Sequence, residues 1–360
     1  MSNKPLFVVM SDTHLKESNL ILVQDIFVQA VKLCKELSIN NLIHCGDWFN
    51  ARDAQSLECL LMSVNILDYL EENNINLFII AGNHDKKSLI SEKSYLSIIS
   101  KNREYVRLFE NEDFVSFGKI ILCFLGFFKE GIEYLSRLDN LIQELQSSGF
   151  RDHKKVLITH TSINGVINND GSFVEGDIQS NYFDYFDLIL TGHYHTRSQI
   201  SESIFYIGSS YQANFGENEE KGFAVLYDDL SIEYKQSKFS KYVRIYVEVE
   251  VESDLKELFT QLQDHIKYNN SVGNIVQIVF KGGQDKLSTI DLRDPLFKGV
   301  EVKCESDETE VLFDKIEDAE MVIFDKKNIA QGWKDYAEKR NIDSIKVHKG
   351  LIMLTTSRIQ

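Results

Sequence analysis

Proline occurs only twice in 360 residues, at Pro5 and Pro295. That scarcity excludes proline-rich linkers and polyproline tracts, and it leaves long helices uninterrupted. No apolar run approaches the ~20 residues that cross a bilayer; the longest, Ile120 to Phe128, has the length of a core strand. Cysteine is sparse as well. Cys34, Cys45, Cys59, Cys123 and Cys304 are scattered and odd in number, which excludes a disulfide framework and suits buried thiols in a reduced, cytoplasmic protein. The first strand-like run begins within a few residues of Met1, so no signal peptide is expected. Basic residues are outnumbered, 39 Lys and Arg against 55 Asp and Glu, for a formal net charge of −16. Such a balance argues against a broad basic groove able to hold nucleic acid unaided. With 43% hydrophobic residues the chain is globular, and its length suggests about two domains.

What the chain does have is a series of metal-type ligands at the ends of apolar runs. The segments are Asp12-Thr13-His14, Gly46-Asp47, Gly82-Asn83-His84-Asp85, Thr159-His160 and Gly192-His193-Tyr194-His195. Asp, Asn and imidazole are hard-oxygen and borderline-nitrogen donors, which suit Mn²⁺, Fe or Zn²⁺ and not a thiolate metal. Taken singly, each segment reads as an ordinary cap or turn. Five in this order point to a two-metal hydrolase. The runs before them, Phe7 to Met10, Asn41 to Cys45, Leu77 to Ile80, Val156 to Ile158 and Leu188 to Leu190, read as strands buried on both faces. Two stripes with helical spacing lie between the first three: Val23 to Leu37 and Leu57 to Leu70. Strand and helix in alternation predict an α/β sheet whose carboxyl edges gather the loops. The glycines at 46, 82 and 192 are expected to allow sharp turns and close approach of backbone to a bound phosphate. His44, His153, His265 and His348 fall outside the segments and read as satisfied or surface histidines.

On these motifs the chain resembles the calcineurin-like metallophosphoesterases, whose ordered signature is D-x-H, G-D, G-N-H-D/E, H and G-H-x-H. The resemblance covers residues 1 to about 230 and implies an α/β fold, a four-layer α/β/β/α sandwich. It implies that Asp12, His14, Asp47 and His195 hold one metal and that Asp47, Asn83, His160 and His193 hold a second, with Asp47 bridging. His84 would face the scissile phosphate, with Asp85 as its supporting partner. Two divalent ions, Mn²⁺ first and Mg²⁺, Fe or Zn²⁺ as alternatives, would lower the pKa of water and neutralise phosphoryl charge.

Within the superfamily, Gly46-Asp47-Trp48-Phe49-Asn50-Ala51-Arg52 is similar to the G-D-x-F-D segment of the SbcD family, the nuclease subunits of double-strand-break repair complexes. The phosphatase pattern G-D-x-x-D-R-G is absent. Tyr206-Ile207-Gly208-Ser209-Ser210, Phe215-Gly216-Glu217 and Lys221-Gly222-Phe223 resemble a further stretch of that family, which bacteriophage recombination endonuclease subunits share. Asn50 departs from the family's Asp, and Ala54-Gln55-Ser56 stands where Pro-Ser is usual; neither is an expected ligand. The resemblance implies a DNA exo/endonuclease of repair or recombination, in a bacterial cell or phage-infected host. It also implies an SMC-like ATPase partner (SbcC type) and a homodimer through the helix near 55–72. A phosphomonoesterase or cyclic-nucleotide phosphodiesterase on the same site, and a non-enzymatic scaffold of the same fold, are the alternatives.

The expected domains are a nuclease domain over 1–238, a capping domain over 239–325 and a C-terminal segment over 326–360. Alternation from Val243 to Val251, a helical pattern from Leu255 to Ile266 and a strand from Ile275 to Phe280 give the cap a strand–helix–strand start. Glu305 to Glu310 reads as a solvated acidic loop. Ile329, Trp333 and Tyr336 or Ala337 share a helical face, which reads as core packing; by the resemblance, Trp333 and Tyr336 are alternatively anchors on the ATPase. Given the acidic balance, DNA binding by this subunit alone is expected to be weak and lost steeply as salt rises.

Overall fold

Apolar runs with no polar interruption become strands enclosed on both sides, because only there are all their side chains out of water. The computed structural model describes residues 3–88, 90–129, 131–166, 174, 178–250 and 253–306. The chain begins β1 (Pro5–Met10), α1 (Leu20–Glu36), β2 (Asn41–His44), α2 (Leu57–Glu72) and β3 (Asn76–Ile80). A single turn α3 (Leu96–Ile99) leads to β4 (Val106–Phe109), β5 (Asp113–Phe117), β6 (Ile120–Leu125), α4 (Ile132–Ser147), β7 (Lys154–His160) and β8 (Leu188–Gly192). Then follow β9 (Ser198–Gln199), β10 (Ile204–Tyr206), β11 (Gly222–Tyr227) and β12 (Ile232–Gln236). The first sheet has the order β12-β11-β1-β2-β3-β4 and the second β5-β6-β7-β8-β10-β9. β1 to β4 are mutually parallel, as are β6, β7, β8 and β10.

Period-two alternation assigns each strand residue to one of two cores. Phe7, Val9, Ile43, Phe78 and Ile80 of the first sheet pack with Leu122, Phe124, Val156, Ile158 and Leu190 of the second. The intervening residues Val8, Met10, Leu42, Leu77 and Ile79 turn outward onto α1 and α2. On the far side, Ile121, Cys123, Leu157 and Ile189 meet Tyr134, Leu138, Leu141 and Leu145 of α4. The result is the expected α/β/β/α sandwich. The Phe124 ring joins the sheets, stacked on Phe109 with centroids 3.8 Å apart and on Phe78 at 6.2 Å. Both carboxyl edges of parallel strands therefore open at one end of the sandwich, where the motif loops leave β1, β2, β3, β7 and β8. Cys34, Cys45, Cys59 and Cys123 are free and buried as expected; Cys304 is exposed.

Beyond β12 come β13 (Tyr242–Val249), α5 (Leu255–Ser271), β14 (Ile275–Gly282), a short turn α6 (Gln284–Leu287) and β15 (Glu301–Ser306). The three strands form a third sheet in the order β13-β14-β15. In β13, Val247 and Val249 are buried while Arg244, Tyr246 and Glu248 are exposed, the alternation read from the sequence. The chain divides into two compact units. One comprises Met1–Ile245, Phe259–Ile278 and Gly299–Glu301; the other comprises Tyr246–Leu258, Val279–Lys298 and the chain from Val302 onward. Ile329, Trp333, Tyr336, His348 and the segment 326–360 lie outside the described residues, as does most of the acidic stretch 305–310. Among the described residues no helix is long and apolar enough to cross a membrane.

Replacing Phe124 by Ala should cost about 3–5 kcal/mol, because the cavity opens where two rigid sheets cannot collapse together. Urea unfolding followed by circular dichroism measures it, and a loss under ~1 kcal/mol would contradict the bridging role of this ring.

Candidate metal centre

The seven expected ligands leave the ends of five strands and meet. Asp12 and His14 follow β1, Asp47 follows β2 and Asn83 follows β3; His160 is the last residue of β7, and His193 and His195 follow β8. Backbone bonds hold the first two loops together past the strand ends: Asp12 donates its N–H to Gly46 O, His14 to Asp47 O, and Leu15 to Trp48 O. The turns are tight enough to force left-handed backbone. Asp12 (φ 53°), His14 (φ 42°), Asp47 (φ 55°) and His193 (φ 97°) all have positive φ. Non-glycine residues seldom adopt that region, and when held there by surrounding structure they mark functional sites.

The donor atoms face a common centre. Nε2 of His14 and Nε2 of His195 are 2.9 Å apart. Nε2 of His14 lies 3.8 Å from Asp12 Oδ1 and 3.6 Å from Asp47 Oδ2, and Nε2 of His160 lies 3.5 Å from the same Asp47 oxygen. Asn83 Oδ1 sits 3.1 Å from His160 Nε2 and 3.0 Å from His193 Nδ1. Asp47 thus lies between a half built from Asp12, His14 and His195 and a half built from Asn83, His160 and His193. His84 faces the first half: its donor atom, with those of His14 and Asp47, falls in one group spanning less than 4.8 Å. Mixed oxygen and nitrogen donors converging in this way fit a divalent cation of the Mn²⁺, Fe or Zn²⁺ kind.

Electrostatics agree with that fit. Burial resists a charged Asp47, but the imidazoles of His160, His14 and His84 outweigh it and hold its carboxyl far below the usual range. Asp12 moves up instead, because burial dominates the pull of His160 and His195. Burial pushes His14 and His193 down to about 3, so both are neutral and able to ligate. His160 is the exception: burial opposes its charge, yet the field and hydrogen bond of Asp47, with Asp12 behind, lift it to about 9.

Supporting groups hold the ligands in place, and here sequence reading fell short. His195 Nδ1 bonds Glu217 Oε1 at 2.8 Å, and Glu217 Oε2 pairs with Lys221 Nζ at 2.9 Å. Lys221 Nζ also donates to the His195 carbonyl at 2.7 Å. Both side chains are buried, and His195 and Lys221 bring Glu217 down to about 2 against the effect of burial. Their motifs were visible, but their partner lies more than twenty positions upstream. His160 Nδ1 bonds the Cys45 carbonyl at 2.7 Å, a backbone contact that carries no side-chain signature.

Two expectations are corrected. Asp85 does not support His84: its oxygens accept the N–H groups of Phe49 (2.9 Å) and Gly82 (2.8 Å), joining the β2 and β3 loops. His84 instead makes its Nδ1 contact with the Asn50 carbonyl, at 2.6 Å. Gly46, at φ 93°, takes the sharp turn expected of it, and the glycines also make room for the candidate ligands. A Cβ on Gly82 would fall 2.2 Å from Asp47 Oδ1, and one on Gly192 would fall 2.2 Å from Ser11 Oγ and 2.8 Å from His160 Nδ1. His44 is fully buried against Phe27 and Trp48; Nε2 meets Thr13 Oγ1 at 3.1 Å and Nδ1 has no partner.

The calcineurin-like phosphoesterase family model matches residues 5–197. The chain is 28% identical over 202 residues to the DNA double-strand break repair protein Mre11 of Methanocaldococcus jannaschii, a match covering 53% of this chain and 52% of that protein. It is 24% identical over 305 residues to the Mre11 of Saccharolobus solfataricus, covering 76% and 74%. With exonuclease subunit 1 of Enterobacteria phage T4 it shares 22% identity over 198 residues, covering 54% and 55%. The chain thus spans about half the length of the first and third of these relatives.

Two outcomes follow from this geometry. Metal must displace the His160 proton, which the raised pKa retains below about 9. Mn²⁺ affinity should therefore rise with pH by about tenfold per unit from pH ~7 and level off above that value. Calorimetry in buffers of differing ionisation enthalpy should find about one proton released per protein as the centre fills at pH ~7, and none released would contradict the assignment. Glu217→Ala should weaken Mn²⁺ binding about 10–100-fold, because His195 loses the acceptor that sets its tautomer; unchanged affinity would count against this orienting role.

Proposed function

Because this chain belongs to the calcineurin-like phosphoesterase family, we propose that it is a metal-dependent DNA nuclease, the phosphodiester-cutting subunit of a repair or recombination complex. One observation carries the reading: donors from five strand ends, in two sheets, converge on Asp47 with every expected ligand present. The intact set counts against a non-enzymatic scaffold. The repair and exonuclease relatives, and the Tyr206 to Phe223 stretch with its buried Glu217–Lys221 pair, favour DNA over a phosphomonoester or cyclic nucleotide.

Asp12, His14, Asp47 and His195 would hold one ion and Asp47, Asn83, His160 and His193 the other, with Mn²⁺ the first choice. When bound, the pair supplies Lewis acidity that lowers the pKa of water and neutralises phosphoryl charge. The remaining work belongs to the side chains. The Asn50 carbonyl fixes the His84 ring through Nδ1, leaving Nε2 on the open side, 3.4 Å from Arg52 Nη2. From there His84 would meet a phosphoryl oxygen in the transition state or give a proton to the leaving oxygen. Asp47 carries the negative charge that holds both halves together.

Partners complete the reading. The acidic chain would engage DNA stably only beside an SMC-like ATPase of the SbcC type. On this reading 1–238 is the nuclease domain, 239–325 the cap and 326–360 the ATPase-docking segment. A homodimer would form through α2, where Leu57 and Leu61 are 65% and 54% exposed one turn apart.

The test is purified protein with Mn²⁺ or Mg²⁺, offered linear single- and double-stranded DNA and a chromogenic phosphomonoester. DNA cleavage is expected, and preference for the monoester would refute the nuclease reading. His84→Gln should retain metal and lose turnover about 10²–10⁴-fold, whereas unimpaired cleavage would remove His84 from the reaction.

A further inference from the structure

Where the two sheets meet at their carboxyl edges, a buried lysine ties one to the other, wholly within the first unit. Lys86 directly follows the Gly82-Asn83-His84-Asp85 loop after β3 and is 1% exposed. Its ammonium donates to the Phe127 carbonyl at 2.6 Å, and the Phe127 N–H donates to the Ala81 carbonyl at 2.8 Å. Ala81 follows β3 of the first sheet and Phe127 follows β6 of the second, so both backbone polar groups of Phe127 are fastened across the sheets. The Lys86 ammonium also lies over the Phe128 ring, 4.1 Å from its centroid, and the Arg137 guanidinium of α4 lies 3.9 Å from the same centroid. Such ring contacts steady a cation without a carboxylate.

The Phe127 ring reaches the candidate centre. It lies nearly parallel to the His193 ring, with 21° between planes and 6.4 Å between centroids, and stands edge-on to His160 at 79° and 6.5 Å. These two imidazoles, with Asn83, build one half of the centre, and that half draws on both sheets: Asn83 leaves β3, while His160 and His193 leave β7 and β8. In the other half the rings of His14 and His195 pack on each other at 4.7 Å, with Glu217 behind His195. Burial, with Arg137 beside it, draws the Lys86 ammonium down to about 8 against the support of Glu110 and Glu133, so it is mainly charged at neutral pH. Burying that charge costs free energy that an apolar chain of equal length would not. Stability alone therefore gives no reason for lysine here; a fixed distance between Asn83 and the two imidazoles does.

We propose that Lys86 is a positioning residue: by pinning the Phe127 carbonyl to the β3 loop it sets the rings of His193 and His160 against Asn83, and so fixes the spacing of the half of the centre that these three build. The proposal rests on the two-ion assignment above and deepens it. Supporting contacts of this kind tune metal affinity because they hold ligands at the distance the ion requires. The half built from Asp12, His14 and His195 is supported separately, through Glu217 and Lys221.

The experiment compares the full chain with Lys86→Met by Mn²⁺ calorimetry and electron paramagnetic resonance, and by NMR of the histidine rings in the metal-free chain. Lys86→Met should widen the ratio between the dissociation constants of the two ions about 10–100-fold. At two equivalents of Mn²⁺ the signal of an exchange-coupled pair should give way to that of an isolated ion. Without metal, the ring resonances of His160 and His193 should move further than those of His14 and His195. Phe127→Leu keeps the carbonyl that Lys86 holds but removes the ring, and it should shift the same two histidines and weaken the same ion; it serves as the test if Lys86→Met fails to fold. Equal weakening of both ions, or affinities and resonances unchanged in the variants, would overturn the positioning role. A wild-type chain that takes up only one ion, with the histidine shifts as expected, would sink the two-ion assignment and keep the tie between Lys86 and Phe127.

Discussion

A single carboxylate, that of Asp47, is the constraint on which the rest of the centre depends. It is 2% exposed, in left-handed backbone, and lies between imidazoles contributed by two different sheets. An uncompensated anion in such a place costs several kcal/mol. Here the His84 N–H donates to Oδ1 at 2.8 Å while His14 and His160 approach Oδ2. Space around it is equally restricted, since any side chain at Gly82 would collide with it. Glycine at that position is a condition for the carboxylate to be there.

Holding strained loops so close requires a rigid support, and the inter-sheet core provides one. Phe7, Phe78, Phe109 and Phe124 fix the two sheets against each other, so that their carboxyl edges open at the same end. Past the strand ends, β1 and β2 remain paired through the loops, down to the bridge between Leu15 and Phe49. Asp85 ties the β2 loop to the β3 loop from below. Positive φ at four ligands persists because several independent bonds over-determine each loop.

Charge is distributed unevenly for a reason the same packing supplies. The chain is strongly acidic overall, yet burial keeps His14 and His193 neutral at the centre. Among the described residues, Asp12, Asp47 and Glu217 bring negative charge to the candidate centre, while burial and the Asp47 charge push the Asp85 carboxyl up to about 7. Glu217 is neutralised by Lys221, and Asp12 and Asp47 face the imidazoles. Divalent cations would turn this pocket positive on an otherwise repulsive surface, which concentrates attraction for an anionic ester at one point.

The sequence by itself determined the layers and the motif segments that meet at their edge. Uninterrupted β-branched runs can only be interior strands, helical stripes between them can only cover a sheet, and ligand-rich turns after such strands fall at a carboxyl edge. Those are local consequences of side-chain periodicity and backbone chemistry. The partner of each ligand was decided by the tertiary structure alone. That Glu217 orients His195, that a backbone carbonyl of Asn50 rather than Asp85 steers His84, and that Gly82 and Gly192 make room for Asp47 and His160 are facts about distance in space. Hydrogen bonds between residues twenty to over a hundred positions apart leave no periodic trace, and backbone acceptors leave no residue-type trace at all. Folding two sheets face to face brings those atoms together, and no property of the segments taken separately could have done so.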